Sequence, residues 1–130
     1  MAAEQGDVPS QFNIGIIYRD GKGVIKSSQQ AAKWFRLAAE NGHDKAQLIY
    51  GVMCMDGDGV IQSDEEAAKW FQKSAEQGNA GAQFNIGCMY KNGWGVPKST
   101  EEAIKWLRLA AEQGDTNSIE ALRELGQRFP

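Results

Sequence analysis

The sequence predicts an all-α, right-handed solenoid of stacked helix-turn-helix units with a period of 36 residues. Three observations predict it. Trp34, Trp70 and Trp106 recur at that spacing. Glycines do the same in three registers: Gly15, Gly51 and Gly87; Gly21, Gly57 and Gly93; Gly23, Gly59 and Gly95. Within each unit, apolar residues fall at three- and four-residue steps, and no strand pattern appears. A fixed period of this length marks an architecture in which no single unit buries its apolar face alone.

The units run over about residues 7–42, 43–78 and 79–114, followed by a capping helix at 115–130. Residues 1–6 match the tail of a second helix whose beginning is absent. Either the chain is cut from a longer array or a short native cap suffices at that end.

The first helix of each unit begins after Asp7, His43 or Asn79, and the fourth such helix after Asp115; these are mostly good caps. Glycine in mid-helix costs about 1 kcal/mol relative to alanine. Its recurrence at Gly15, Gly51 and Gly87 therefore implies a neighbouring helix that passes too close for a side chain. The loop Asp-Gly-x-Gly-Val at Asp20 to Val24, repeated from Asp56 and from Asn92, turns the chain back. Glycine supplies positive φ there at no steric cost.

Second helices open with Ser27 and Gln30, Ser63 and Glu66, or Ser99 and Glu102, spaced as capping boxes. Ala103, Trp106, Leu107, Ala110 and Ala111 draw the apolar stripe of the clearest copy, which makes the tryptophans core residues. Glu65 with Lys69 and Glu101 with Lys105 are expected to pair on the outer face. Gly42, Gly78 and Gly114 sit where a left-handed residue ends a helix. In the fourth first-helix, Glu120, Arg123 and Glu124 replace apolar or glycine places, which predicts the polar outer face of a terminal unit.

Composition narrows the function. The chain has 130 residues, 42% hydrophobic and 24% charged, with a net charge of −3, which suits one core-forming domain rather than a disordered segment. A pI of about 5.2 argues against nucleic acid as a partner. No apolar run approaches the roughly 20 residues of a membrane span. The N-terminus lacks a secretory leader, so the expected location is the cytoplasm, or the periplasm or exterior if that end is truncated. Cys54 and Cys88 are expected to be reduced thiols, since two cysteines at non-equivalent places make no disulfide framework.

The pattern Ala-Gln-x-x-Leu-Gly-x-Met-Tyr-x-x-Gly-x-Gly-Val, then Ala-x-x-Trp and Ala-Ala-Glu-Gln-Gly, resembles the Sel-one-like repeats, relatives of the tetratricopeptide repeats with a slightly longer unit. The resemblance covers about residues 2–126. Tyr50, Cys54 and Ser10 depart from the Leu, Tyr and first Ala places, as tolerable core swaps. It implies an interaction scaffold. Some cysteine-rich relatives bind or hydrolyse penicillin-type compounds, but they carry paired cysteines inside each repeat, and Cys54 and Cys88 do not pair that way. A third implication is a toxin-neutralising, immunity-type binder.

The residues themselves offer little chemistry. The Gly-x-Gly loops follow no strand, so they are turns rather than phosphate cradles. An EF-hand read from Asp56 would need glycine at Ile61 and glutamate at Ala67, so calcium is excluded. His43 is the only histidine and is expected as an exposed side chain near a helix start. No catalytic residue, metal ligand or cofactor site is assigned, and the chain is expected not to be an enzyme.

Binding is expected on the concave side, which first helices line. The variable first-helix places are Phe12, Asn13, Ile16 and Arg19; Leu48, Ile49, Val52 and Met55; Phe84, Asn85, Cys88 and Lys91. Leu48, Val52 and Met55 share one helical face. They are expected to form an apolar strip, with Asn13, Arg19, Asn85 and Lys91 around it and Ile16, Ile49 and Cys88 within the surface. Part of that strip is equally explained by interhelix packing. Trp94, between two loop glycines, is either a partner anchor or a lid over local apolar surface. The expected partner is another protein or a peptide.

Overall fold

The structure, a computed structural model, describes residues 6–129. Seven helices occupy them: α1 (Val8–Asp20), α2 (Ser28–Glu40), α3 (Asp44–Asp56), α4 (Asp64–Glu76), α5 (Ala80–Asn92), α6 (Thr100–Glu112) and α7 (Thr116–Glu124). Each packs on its neighbours in chain order, α1 on α2 within the first unit and α2 on α3 between units, and so on to α7. The result is an all-α solenoid. The proposed remnant at residues 1–6 lies almost wholly outside the described residues. The capping helix is shorter than expected and ends at Glu124, with Leu125 as its C-cap.

The caps lie where the side-chain chemistry requires them. Asp7, His43, Asn79 and Asp115 each accept a hydrogen bond from the backbone N–H three residues on, and so do Ser27, Ser63 and Ser99. His43 does more than cap. It is half-buried rather than exposed, because its ring stacks on Phe12 with 4.4 Å between centroids.

The core runs between first and second helices. Trp34, Trp70 and Trp106 are buried, beside Phe35, Phe71, Leu107 and the alanine series. A Cβ added to Gly15, Gly51 or Gly87 would stand 2.7, 2.7 or 2.9 Å from Phe35, Phe71 or Leu107. Those residues are themselves one unit apart, so a fully buried side chain occupies the space each glycine leaves.

A second set of glycines joins units through backbone alone. Gly59 (φ +77°) and Gly95 (φ +70°) lie against the carbonyls of Ser28 and Asp64, the first residues of α2 and α4. Each turn thus rests on the helix start of the unit before it.

A buried polar ladder runs alongside. Gln47 donates from Nε2 to the Ala39 carbonyl at 3.1 Å, and its Oε1 accepts from Gln77 Nε2 at 2.8 Å. Gln77 also donates to the Gly42 carbonyl at 3.0 Å. One unit on, Gln83 donates to Ala75 and accepts from Gln113, which bonds to Gly78. In the first unit Asn41 donates to Gln11 at 3.2 Å. The buried glutamines Gln47 and Gln83 therefore add a second bond to last-turn carbonyls, Ala39 and Ala75, that also accept from the Gly42 and Gly78 N–H groups.

The outer-face ion pairs differ from expectation. Among the described residues neither Glu65–Lys69 nor Glu101–Lys105 closes; Lys105 lies 3.7 Å from Glu102 instead. The Lys33, Lys69 and Lys105 ammonium groups stand 5.4, 5.2 and 4.7 Å from the centroids of Trp34, Trp70 and Trp106. A lysine stem lies comfortably along an indole and its charge meets the π face, which offsets the loss of a solvent-screened pair.

Candidate functional site

The first helices α1, α3, α5 and α7 line a common face, and its main feature is an open cavity of about 890 Å³. Leu48, Ile49 and Val52 of α3 and Phe84 of α5 make its apolar floor. Polar groups surround that floor. Arg19, Asp20, Lys26 and Asp58 stand where first helices end and turn, while Asn85, Asp115 and Asn117 stand on α5 and at the start of α7.

Local sequence explains the floor. Leu48, Ile49 and Val52 are consecutive surface steps of one helix, and all are half-buried against the core rather than within it. Gly81, at the start of α5, leaves the room that Leu48 fills; a Cβ there would lie 3.2 Å from the Leu48 side chain.

Two smaller cavities adjoin. One, of about 230 Å³, is lined by Met55, Phe84, Asn85, Cys88, Met89 and Trp94. The other, of about 210 Å³, lies between α5 and α7 and is lined by Phe84, Cys88, Lys91, Asn117, Glu120, Ala121 and Glu124. Lys91 Nζ bridges to Glu124 Oε2 at 2.9 Å across it.

The anticipated residues distribute among these spaces. Arg19, Leu48, Ile49, Val52 and Asn85 come together in the main cavity, while Met55, Cys88 and Trp94 meet in the Trp94 cavity and Lys91 stands between α5 and α7. Met55 lines the adjoining cavity rather than the main one, the two spaces meeting at Phe84 and Asn85. Asn13 and Ile16 stand apart from all three spaces; Asn13 is exposed, and Ile16 packs on the core. Trp94 is 51% exposed and walls its cavity. Phe84, one of the variable places but not one of the expected binding residues, touches all three cavities. Lys26, Asp58, Asp115 and Asn117 were not anticipated, because they lie in a turn or at the capping helix.

Burial pushes the Cys88 thiol up, so it stays protonated near neutrality, and burial does the same for Cys54 in the core. Both cysteines are free. No group of three or more His, Cys, Asp or Glu side chains is placed to hold a metal ion among the described residues, and no described helix is long and apolar enough to cross a membrane.

The Sel1 repeat model matches residues 8–43, 44–79 and 80–115, one match for each unit of the fold. The chain belongs to the Sel1 repeat family. Sel1 repeat proteins are generally interaction scaffolds without enzymatic activity.

Solved structures agree. A Sel1 repeat protein from Oxalobacter formigenes is 34% identical, with 94% of this chain and 92% of that one covered and a TM-score of 0.87. The c5321 protein, a protective antigen of uropathogenic Escherichia coli strains with an SLR fold, is 40% identical with a TM-score of 0.90. That match covers 93% of this chain and 26% of the antigen, so this chain spans about a quarter of that protein's length. Helicobacter pylori cysteine rich protein B shares the fold, at 20% identity and a TM-score of 0.69 over 72% of this chain and 71% of its own. Among curated proteins none matches.

Proposed function

We propose that this Sel1 repeat chain is a non-catalytic interaction module that holds a segment of another protein, or a peptide, on the face of α1, α3, α5 and α7. One observation carries the reading: a cavity of about 890 Å³ whose floor is Leu48, Ile49, Val52 and Phe84 and whose border is charged or amide-bearing. An apolar centre within a polar rim is the usual build of a specific interface. The floor residues are only half-buried, so they keep apolar surface that the fold itself does not cover.

Affinity capture from the native source, read by mass spectrometry, tests this when run with surface variants. Val52→Asp should abolish specific capture, whereas Glu65→Lys on α4 should leave it intact. Both variants must show native helicity by circular dichroism. Capture that survives Val52→Asp in a folded protein would remove this face from consideration and move attention to the Trp94 turn.

A further inference from the structure

The capping helix α7 is not polar on one side only. Arg123, in the register of the packing glycines, lines a separate space with Gln127, Arg128 and Phe129. Glu120 and Glu124 point elsewhere. They occupy the register of Phe84 and Cys88, and with those two residues they line the cavity between α5 and α7. That cavity shares Phe84 and Asn117 with the main one, and Asp115 stands on the main cavity's border. The carboxylates of the cap therefore continue the same face as the apolar floor.

The charge along this face is uneven. At the α1 end Arg19 and Lys26 are matched by Asp20 and Asp58, and Arg19 is itself tied to Asp20 at 3.2 Å. At the α7 end Asp115, the cap of that helix, borders the main cavity, and Glu120 and Glu124 line the smaller one, where Lys91, already held by Glu124, is the one cation of the lining. The face thus passes from balanced charge, across an apolar floor, to an excess of two negative charges.

We infer that the partner segment is apolar and basic: aliphatic or aromatic side chains seat on Leu48, Ile49, Val52 and Phe84, and adjoining Lys or Arg side chains lie over Asp115, Glu120 and Glu124. The inference rests on the reading of this face as the binding face and adds the charge and polarity of what occupies it. Complementary charge at an interface rim selects partners and register more than it adds affinity. A segment with carboxylates at the same place would meet like charge and be rejected.

A displayed library of random decapeptides, selected on the immobilised full chain and in parallel on Val52→Asp, supplies the probe. Selected sequences should join apolar residues to Lys or Arg and be absent from the Val52→Asp selection. A fluorescein-labelled selected peptide should bind about fivefold more weakly to the Glu120→Gln/Glu124→Gln double variant, as expected for two exposed charge pairs, and its affinity should fall with added salt in the wild type far more than in that variant. Selected peptides without a basic bias, or with an acidic one, overturn the charge assignment while leaving the face as the binding site. Equal selection on wild type and Val52→Asp overturns the face and the assignment with it. So does a dimer seen by light scattering that Val52→Asp dissolves, because a second copy would then cover the floor.

Discussion

At residue scale the fold turns on places where a side chain is forbidden. Gly51 leaves its space to the ring of Phe71, which is fully buried and has no room to withdraw. Gly51→Leu should therefore cost roughly 1–3 kcal/mol by overpacking, against a smaller effect for Gln72→Ala on α4. Thermal melts of the two variants decide it, and equal midpoints would refute the close approach. Cys54 and Cys88 have thiols raised by burial, so the folded state holds their protons more firmly than the unfolded one. Their contribution to stability is then complete below a thiol's ordinary range of about 8.5 and is lost as pH climbs through the raised values. Denaturant titrations should show stability falling on the alkaline side, less steeply in Cys54→Ala. Thiol titration of the denatured, unreduced protein should find two reactive groups. The glycine contacts were legible in the sequence because three mid-helix glycines in register have no local explanation. The lysine positions were not, because spacing states which carboxylate a lysine reaches and not that an indole lies nearer its path.

At the scale of the element, the ladder of Gln47, Gln77 and the Ala39 and Gly42 carbonyls is the polar counterpart of the apolar core. Gln47→Leu keeps bulk but removes two buried bonds, so the Ala39 carbonyl is left with the Gly42 N–H and the Gln77 amide with the Gly42 carbonyl. The expected loss is about 1–3 kcal/mol, read from urea unfolding, and Gln77→Ala should lose less because its side chain is exposed. Gln11, Gln47 and Gln83 recur in the sequence, but a polar residue on a helix reads as solvated until a neighbouring helix end is known to approach it. The same limit applied to α7. Its acidic residues were legible as a terminal cap, yet only the packing of α7 beside α5 reveals that Glu120 and Glu124 share the side of Phe84 while Arg123 takes the other.

At the scale of the whole molecule, every substantial helix contact joins neighbours in the chain. Such a molecule loosens from its ends, since terminal elements have one partner and central ones have two. Amide exchange should be slowest in α3 and α4 and fastest in α7, whose contacts with α6 rest on a small separate cluster including Leu107, Ala121 and Leu122. Uniform protection across all helices would contradict this. The solenoid was legible because its period and caps are properties of single units. The binding face was legible only in part: the register picked out Leu48, Ile49 and Val52, whereas its border comes from turns and from α7, whose placement follows from stacking and not from periodicity.

The turn at Gly59 and the glutamine bonds have a further consequence, for how such chains lengthen. Both reach across a unit boundary to backbone atoms that successive units present at the same place: the first carbonyl of α2 or α4, and the carbonyls of Ala39 and Gly42 or of Ala75 and Gly78. A duplicated stretch of 43–78 would meet ready-made partners on each side, whereas an insertion of half that length would orphan both sets. Gene duplication therefore has a natural step here, one whole unit, while the side chains of the first-helix face stay free to diverge from copy to copy.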